Sequence, residues 1–317
     1  MNKKQSEVEK AKLAEEKKVL LALKRQYMQA AEDTAKKLRF HQGKIDFLLA
    51  DWDNLDEVEK SILQSQIYQR NYQKALKEQI DLIIDALNAE QFTLVSEYLA
   101  RCYELGFVGS VYDLHGQKIP VILPINQKAM VKAVTLDSKI SKKLYGSYVD
   151  ELKQRIQAEV SRGVATNLPY ENIARNLTNT TTISFNKAMR IARTEGHGVQ
   201  CKAAFEAQHK AKEAGAAIVK QWDSTLDGKT RDSHRRLDGQ IRELDEPFSN
   251  GMMIPSDSKG GAAEVVNCRC ALLQRATWAL DEEELETLKE RAKRFKLDKT
   301  EDFNDFKKKY LKATKKG

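Results

Sequence analysis

Residues 222–270 read WDSTLDGKTRDSHRRLDGQIRELDEPFSNGMMIPSDSKGGAAEVVNCRC, and they differ in kind from the sequence on either side. The segment is rich in glycine and contains two Asp-Gly pairs, at 227–228 and 238–239, which are typical of tight turns. It ends in a Cys-Arg-Cys tip at 268–270. These residue types predict short strands and turns that form either a metal site or a tightly braced loop structure.

The sequence that flanks this segment is mainly helical. Residues 184–214 carry apolar side chains at helical spacing, and the period changes after Gly215. Residues 217–222 (AIVKQW) then predict a strand, and residues 281–317 predict a return to helix. The fold class that follows is α+β and mostly α-helical, with a small mixed module.

The first third of the chain favours long helices, because no proline occurs before Pro120. We expect helices over 3–40 and 55–88, with a break near Gly43, and then a helix followed by a loop over 92–118. The first two helices form either an ordinary helical subdomain or an arm that contacts a partner as a coiled coil. The apolar run 119–125 predicts a strand or a docking loop, residues 129–162 predict another helix, and a further helix starts after Asn167.

Four regions follow from these patterns. They are a helical arm (1–90), a helical middle (91–183), the mixed module (184–275) and a basic helical tail (276–317).

Charge and cysteine content restrict the compartment and the partners. The formal net charge is +8, and residues 287–317 alone contain 12 Lys and Arg against 5 Asp and Glu. Two of the four cysteines lie singly in helical sequence, which suits a reducing compartment. No signal peptide is recognisable, and no apolar stretch approaches the roughly 20 residues that span a bilayer. We therefore expect a soluble protein that is assembled in a cytoplasm.

His234, Cys268 and Cys270 are the candidate metal ligands. Zinc prefers four N, S or O donors in a tetrahedron, and its usual half-site is Cys-x-x-Cys. In a regular strand the two cysteines of Cys-x-Cys would point to opposite faces, so both bind one ion only at a bend. Asp238 or Glu264 would have to serve as the fourth donor. The alternative is that Cys268 packs in the core while His234 bonds a carbonyl.

Arg193-Thr194-Glu195 places charges inside a mostly apolar helix, where they are costly unless paired. A catalytic Glu with an Arg partner is one interpretation. A structural clasp that docks this helix onto residues 217–273 is the favoured one, since structural networks resemble active sites.

Asp227, Arg231, His234 and Asp238 lie on one loop and would suit acid–base chemistry or simple loop bracing. The sequence has no nucleophile elbow, no phosphate-binding glycine loop and no His-Glu-x-x-His motif. No enzyme class is therefore indicated.

The basic tail suits sequence-independent contact with phosphates, or else it is a solvated helix end. Aromatic residues are interleaved with the basic ones. The candidate DNA-contacting residues are Lys289, Arg291, Lys293, Arg294, Lys307, Lys308, Lys309 and Lys312.

A set of residues over about 140–275 resembles the phage head-morphogenesis family, whose type member is the F protein of phage Mu. The motif residues that carry the resemblance are Arg193, Thr194, Glu195, Trp222, Asp227, Arg231, His234, Asp238, Gly239, Asn267, Cys268, Arg269 and Cys270.

The resemblance implies a minor capsid protein that associates with the portal, meets the major capsid or scaffolding protein, and touches packaged DNA without sequence preference. It implies a location inside the capsid of a virion assembled in the bacterial cytoplasm, and a role in packaging or ejection. Some members have Cys-x-x-Cys where this chain has Arg231 to His234, so at most three of the usual zinc donors remain. The alternative function is a metal-dependent hydrolase or transferase that uses His234, Asp238 and Glu195.

Overall fold

The computed structural model describes residues 3–50, 52–54, 56–64, 66–125, 128, 130–131, 150–156, 158–159, 162, 170–276, 289–290 and 292–314. Its helices are α1 (Lys3–Ala50), α2 (Glu57–Gln64), α3 (Gln66–Gly116), α4 (Tyr170–Glu213), α5 (Asp232–Arg235), α6 (Gly261–Val265) and α7 (Phe303–Thr314). Its strands are β1 (Ile218–Asp223), β2 (Ile241–Arg242) and β3 (Ala271–Ala276). Short 3₁₀ turns lie at Trp52–Asn54 and Ser258–Gly260. The predicted mostly helical α+β class is confirmed.

The long helices are longer than the sequence predicted. The expected break near Gly43 is wrong, because α1 runs without interruption from Lys3 to Ala50. One glycine costs a helix only about 1 kcal/mol, and no proline stops it. The predicted helices 55–88 and 92–118 are also wrong as separate elements, since α3 alone covers 66–116. The predicted helix over 129–162 lies largely outside the described residues.

The chain divides into two compact units. The first comprises Met1–Val19, Val95–Lys139 and Arg190–Gly317, and the second comprises Leu20–Leu94 and Ile140–Met189. The predicted regions 1–90, 91–183, 184–275 and 276–317 therefore do not coincide with the compact units, and they remain a prediction about folding and function.

The second unit has a helical core. Leu23, Ile80 and Ile84 are buried in it. The hydroxyl of Tyr27 donates a hydrogen bond of 2.8 Å to Gln91, and its ring lies 6.0 Å from that of Phe185.

In the first unit, α3 and α4 cross at glycine. A Cβ on Gly106 would lie 2.2 Å from the carbonyl oxygen of Gln200, which is far inside van der Waals contact. On the other helix, a Cβ on Gly196 would lie 2.5 Å from the ring of Tyr98. The absence of side chains at both positions lets the two backbones approach closely.

The sheet of the first unit is antiparallel, with strand order β2-β1-β3. Lys220 is paired with Gln274 in the centre, and Trp222 with Leu272 near the loop end. The strand predicted at 217–222 is confirmed as β1. Ile218, Lys220 and Trp222 are buried on one face, and Val219 is buried on the other. The adjoining core contains Cys201, Trp222, Leu237, Phe248, Met252, Ile254, Cys268, Cys270 and Leu272.

Residues 119–125 form neither helix nor strand. Their alternate apolar side chains are buried, and the main chain of Leu123 both donates to and accepts from the hydroxyl of Tyr310 on α7. The docking-loop interpretation of this run therefore fits the structure better than the strand.

No helix within the described ranges is both long and apolar enough to cross a membrane.

Candidate functional site

The loop after β1 is fastened to the turn before β3 by an ion pair. Arg269 places two guanidinium nitrogens 2.5 and 2.7 Å from the carboxylate oxygens of Asp227. Asp227 also accepts from the backbone N–H of Lys229 at 2.9 Å. These donors hold the pKa of Asp227 below its ordinary value, and the hydrogen bonds from Arg269 have the largest effect. The first Asp-Gly turn and the Cys-x-Cys tip are thus one braced structure.

A second set of contacts joins the same tip to α4 and α5. The hydroxyl of Thr194 accepts a 3.1 Å hydrogen bond from the backbone N–H of Asn267. The guanidinium of Arg231 donates to the carbonyl of Val266 at 2.6 Å. Asn267 has a φ of 55°, a left-handed conformation that asparagine tolerates better than most residues. The clasp predicted for Arg193-Thr194-Glu195 is therefore made by Thr194.

Arg193 of that triplet pairs with Glu16 of α1 at 2.6 Å. The side chain of Glu195 is half-buried.

Asp238 and Gly239 close the second Asp-Gly turn. The carboxylate of Asp238 accepts from the backbone N–H of Ser224 at 2.8 Å, so it serves as a loop brace. Gly239 has a φ of 75°, which favours glycine, and its N–H donates to the carbonyl of Trp222. The bracing interpretation of this loop therefore agrees with the contacts.

A buried group of one imidazole and two thiols lies beneath these braces. The Nδ1 atom of His234 is 3.3 Å from the sulfur of Cys270 and 3.7 Å from that of Cys268. The ligand atoms of all three residues lie within 4.8 Å of one another. Trp222 packs edge-on against His234, with 5.3 Å between ring centroids, and its indole N–H donates to Ser224.

The far side of the imidazole meets a carboxylate. The Nε2 atom of His234 is 2.8 Å from an oxygen of Glu264 on α6, although the N–H is too poorly aligned for a hydrogen bond. The same oxygen accepts from the hydroxyl of Ser233. Neither expected fourth metal donor therefore joins the group, because Asp238 braces Ser224 and Glu264 lies behind His234. The donor set that could bind zinc is therefore His234, Cys268 and Cys270. Three donors is also the number expected where Arg231 to His234 replaces the Cys-x-x-Cys of other family members.

His197 and Ser256 also belong to the site, and neither was predicted from the sequence. Both ring nitrogens of His197 have partners, the hydroxyl of Ser256 at 2.8 Å and the carbonyl of Cys270 at 2.9 Å. Burial lowers the pKa of His197 to about 4, so the ring is neutral near pH 7. Its position one helical turn before Cys201, on the same face of α4, was the available signal.

The two thiols of the group are coupled. A shared hydrogen bond lowers the pKa of Cys268 and raises that of Cys270. The pKa of His234 is raised above its ordinary value, mainly by the hydrogen bond with the Cys270 sulfur and less by Glu264, although burial acts in the opposite direction. By contrast, burial raises the pKa of Cys201 to about 12, which leaves that thiol protonated.

The basic tail is folded onto the first unit. Phe303, Phe306 and Tyr310 are buried, so the interleaved aromatic residues anchor α7. Lys307 pairs with Glu104 and Lys309 with Asp305. The exposed candidates are Lys293, Arg294, Lys308 and Lys312; Lys289 is half-buried, and Arg291 lies outside the described residues.

The fold and the site together define a class of protein: a mostly helical α+β chain with a loop-rich module held by side-chain hydrogen bonds around a buried thiol–imidazole group. Residues 154–273 match the family model described as Phage Mu protein F like protein. The resemblance to the phage head-morphogenesis family is thereby confirmed over that segment.

Two curated relatives match a larger part of the chain. Minor head protein GP7 of Bacillus phage SPP1 is 29% identical over 62% of this chain and 67% of its own length. The NAD(+)–arginine ADP-ribosyltransferase EFV of Enterococcus faecalis is 32% identical over 63% of this chain, but the chain spans only 42% of that protein. The comparison with solved structures finds no match.

Proposed function

We propose that this chain is a minor capsid protein of a tailed phage and acts in head morphogenesis inside the procapsid. The observation that carries the proposal is that the family match covers 154–273 and that the motif residues within it contact one another. The similarity to a minor head protein supports the same role. If so, the protein is present in purified virions, and mass spectrometry of gradient-purified particles tests this location.

Portal association is the finer part of the proposal, with the major capsid or scaffolding protein as a further partner. Leu21 and Met28, seven residues apart on α1, leave 49% and 62% of their surface exposed. Exposed apolar side chains at heptad spacing suit a helical partner. This supports the partner-contact interpretation of the arm.

The test is co-purification of tagged chain with the portal protein of the same phage. We expect stable association, which the double variant Leu21→Ser/Met28→Ser weakens about tenfold or more because apolar contact is lost. Exposed Lys24→Ala on the same helix is the control. Failure of the unaltered chain to retain portal protein would contradict portal association.

Non-specific DNA contact is proposed for the exposed basic residues of the tail. Lys308 and Lys312, one turn apart on α7, are exposed, whereas Lys307 and Lys309 are engaged in ion pairs. Only the first pair is available to neutralise phosphates without losing a partner.

We expect Lys308→Ala/Lys312→Ala to weaken binding to duplex DNA several-fold and to reduce the salt slope by about 2, since each phosphate contact releases counterions. Fluorescence anisotropy over 50–200 mM salt, titrated against several unrelated sequences, measures both quantities. Lys307→Ala/Lys309→Ala changes net charge equally and is the matched control. Equal effects from both double variants would show that net charge alone acts.

An enzymatic role for the His234, Asp238 and Glu195 region is not favoured. The carboxylate of Asp238 accepts a hydrogen bond from the backbone N–H of Ser224, and His234 is only 1% exposed to solvent. The name of the enterococcal relative suggests the assay: incubation with NAD(+) and an arginine-containing acceptor. We expect no transfer by this chain.

A further inference from the structure

The buried imidazole and two thiols converge on one point. His234 comes from α5, while Cys268 and Cys270 come from the turn that leads into β3. All three are buried, and each offers one donor atom within 4.8 Å of the others. The chain thus brings together three soft or borderline donors from segments more than 30 residues apart.

The distances agree with those that tetrahedral zinc requires. Zn–N and Zn–S bonds of about 2.1 and 2.3 Å at a tetrahedral angle place the nitrogen and sulfur about 3.6 Å apart. The observed separations from His234 Nδ1 are 3.3 Å to Cys270 and 3.7 Å to Cys268. The donors need little movement to bind one ion.

The backbone explains how Cys-x-Cys can present both sulfurs to one side. Residues 268–270 precede β3 and are not part of a strand, so the alternation of side chains does not apply. The left-handed Asn267 bends the chain at this point, and Thr194 fixes its N–H. His197 holds the carbonyl of Cys270 at 2.9 Å. These contacts fix the cysteines before any ion arrives.

Glu264 supplies the support that metal-binding histidines usually have. Its carboxylate lies 2.8 Å from Nε2 of His234, the nitrogen opposite the thiols. A carboxylate in this place favours the tautomer whose Nδ1 lone pair faces the metal. Its alignment here is poor, and a small rotation of the ring toward the metal would be needed to complete the hydrogen bond.

We propose that His234, Cys268 and Cys270 bind one zinc ion, with Glu264 as the carboxylate that orients His234. The ion staples α5 to the Cys-x-Cys tip, and it leaves one coordination position for solvent or another ligand. This site is independent of the portal and DNA contacts, so its failure would leave the proposed function untouched.

The test uses the full chain, purified under reducing conditions from zinc-supplemented medium. We expect about one zinc per chain by plasma mass spectrometry. We expect Co²⁺ added to metal-depleted protein to give thiolate charge-transfer absorption in the near ultraviolet and intense visible bands of tetrahedral coordination. Chelation of the zinc should lower the thermal midpoint.

Three variants make the assignment specific. Cys268→Ser should abolish the charge-transfer bands or shift and weaken them, while Cys201→Ser, a thiol of the same core outside the group, should leave them unchanged. Glu264→Gln lies outside the core packing and should weaken zinc affinity about 10- to 100-fold while retaining the bands.

The overturning result is equally direct. A folded, reduced chain that purifies without zinc and shows no charge-transfer absorption with Co²⁺ would make the group a packed thiol–imidazole cluster. Zinc that persists unchanged in both Cys268→Ser and Glu264→Gln would place the ion elsewhere. Because Glu264→Gln leaves both thiols and the imidazole intact, misfolding of Cys268→Ser does not remove the test.

Discussion

At the residue scale, Asp227 shows how a motif residue can be structural. Four donors reach its carboxylate: two nitrogens of Arg269, the backbone of Lys229 and the hydroxyl of Thr230. Each favours the ionised form, so the pKa of Asp227 in the folded chain lies below that of a free aspartate. The stability that these bonds supply is full above the unfolded pKa of about 3.9 and is lost as the pH falls through the folded value.

We expect Asp227→Asn to lower the thermal midpoint by about 1–3 °C at pH 7, because the pair is partly exposed. The difference from the unaltered chain should be constant down to about pH 5 and shrink below about pH 4. Melts followed by circular dichroism from pH 3 to 7 measure it. Exposed Asp232→Asn is the control, and a difference that grows in acid would contradict the assigned direction.

Lys220 presents the opposite case, a cation whose burial is costly. It lies fully buried in the centre of β1, donates to the carbonyl of Leu244 at 2.9 Å, and has the rings of Phe205 and Phe248 within 5.2 Å. Burial lowers its pKa to about 8. Since a free lysine titrates near 10.4, the unfolded chain binds more protons between these values, and stability contributed by this residue rises with pH there.

We therefore expect Lys220→Met to be neutral or stabilising at pH 7, by up to about 1 kcal/mol, because the buried charge is removed. The advantage should diminish between about pH 8 and 10 as Lys220 loses its proton in the unaltered chain. Urea unfolding at several pH values measures this, with exposed Lys229→Met as control. A loss of stability at pH 7 would mean that the carbonyl and ring contacts outweigh the burial cost.

The residues that the sequence identified are those with unusual local chemistry. Asp-Gly pairs, Cys-x-Cys and Arg-Thr-Glu stand out by composition, and the structure brings Asp227, Arg269 and Thr194 to the Cys-x-Cys tip. The partners of those residues were mostly not identifiable. Ser224, Ser256 and His197 have side chains that are common anywhere. Only the fold places Ser224 beside Asp238, His197 beside Cys270, and Ser256 beside His197.

At the element scale, strand β1 was predictable from the sequence, whereas the continuity of α1 through Gly43 was not. Strand β1 was identifiable because the helical period ends near Gly215 and a short run rich in apolar residues, 217–222, follows it. The position of a helix end depends on small differences in free energy. Gly43 destabilises the helix by less than the hydrogen bonding and packing of a helix as long as α1 stabilise it. Local propensity therefore misplaced the break.

The crossing of α3 and α4 leads to a prediction with a matched control. Gly106→Ala places a methyl group 2.2 Å from the Gln200 carbonyl oxygen, so the helices must separate. We expect a loss of about 2–3 kcal/mol in the free energy of unfolding. Gly43→Ala also lies within a helix but meets nothing within 4 Å, so it should stabilise by about 0.5–1 kcal/mol. Chemical denaturation of both variants measures the contrast. A stabilising effect of Gly106→Ala would contradict the close approach of α3 and α4 at this position.

At the scale of the whole molecule, the division into units differs from the order of the sequence. The first 19 residues group with 190–317, although 170 residues (20–189) separate the two segments. Side-chain hydrogen bonds join this start of α1 to the rest of the first unit, among them Gln5 to Asp113, Glu7 to Tyr112, Glu15 to Arg101 and Glu16 to Arg193. Periodicity alone reports that α1 is amphipathic, but it does not report which distant segment covers the apolar face.

Two positions on α1 distinguish an integral helix from a free arm. Val8 is 6% exposed and packs against α3, where one of its methyl groups lies 2.6 Å from the position of a Cβ on Gly109. Leu13 lies on the same stretch of helix and is 62% exposed. If the first turns of α1 belong to the first unit, the Val8 side chain contributes to the free energy of unfolding and the Leu13 side chain does not.

We expect Val8→Ala to cost about 2 kcal/mol in the free energy of unfolding, from two lost methyl groups and the cavity they leave. Leu13→Ala should stay within about 0.5 kcal/mol, as exposed substitutions do. Urea denaturation of the full chain measures both. Equal and negligible effects would make residues 1–19 a free arm, in which case their contacts form only on binding a partner. A selective loss at Val8 would instead mean that a deletion through this helix damages the motif-bearing unit, so portal association is better tested with point variants than with truncations.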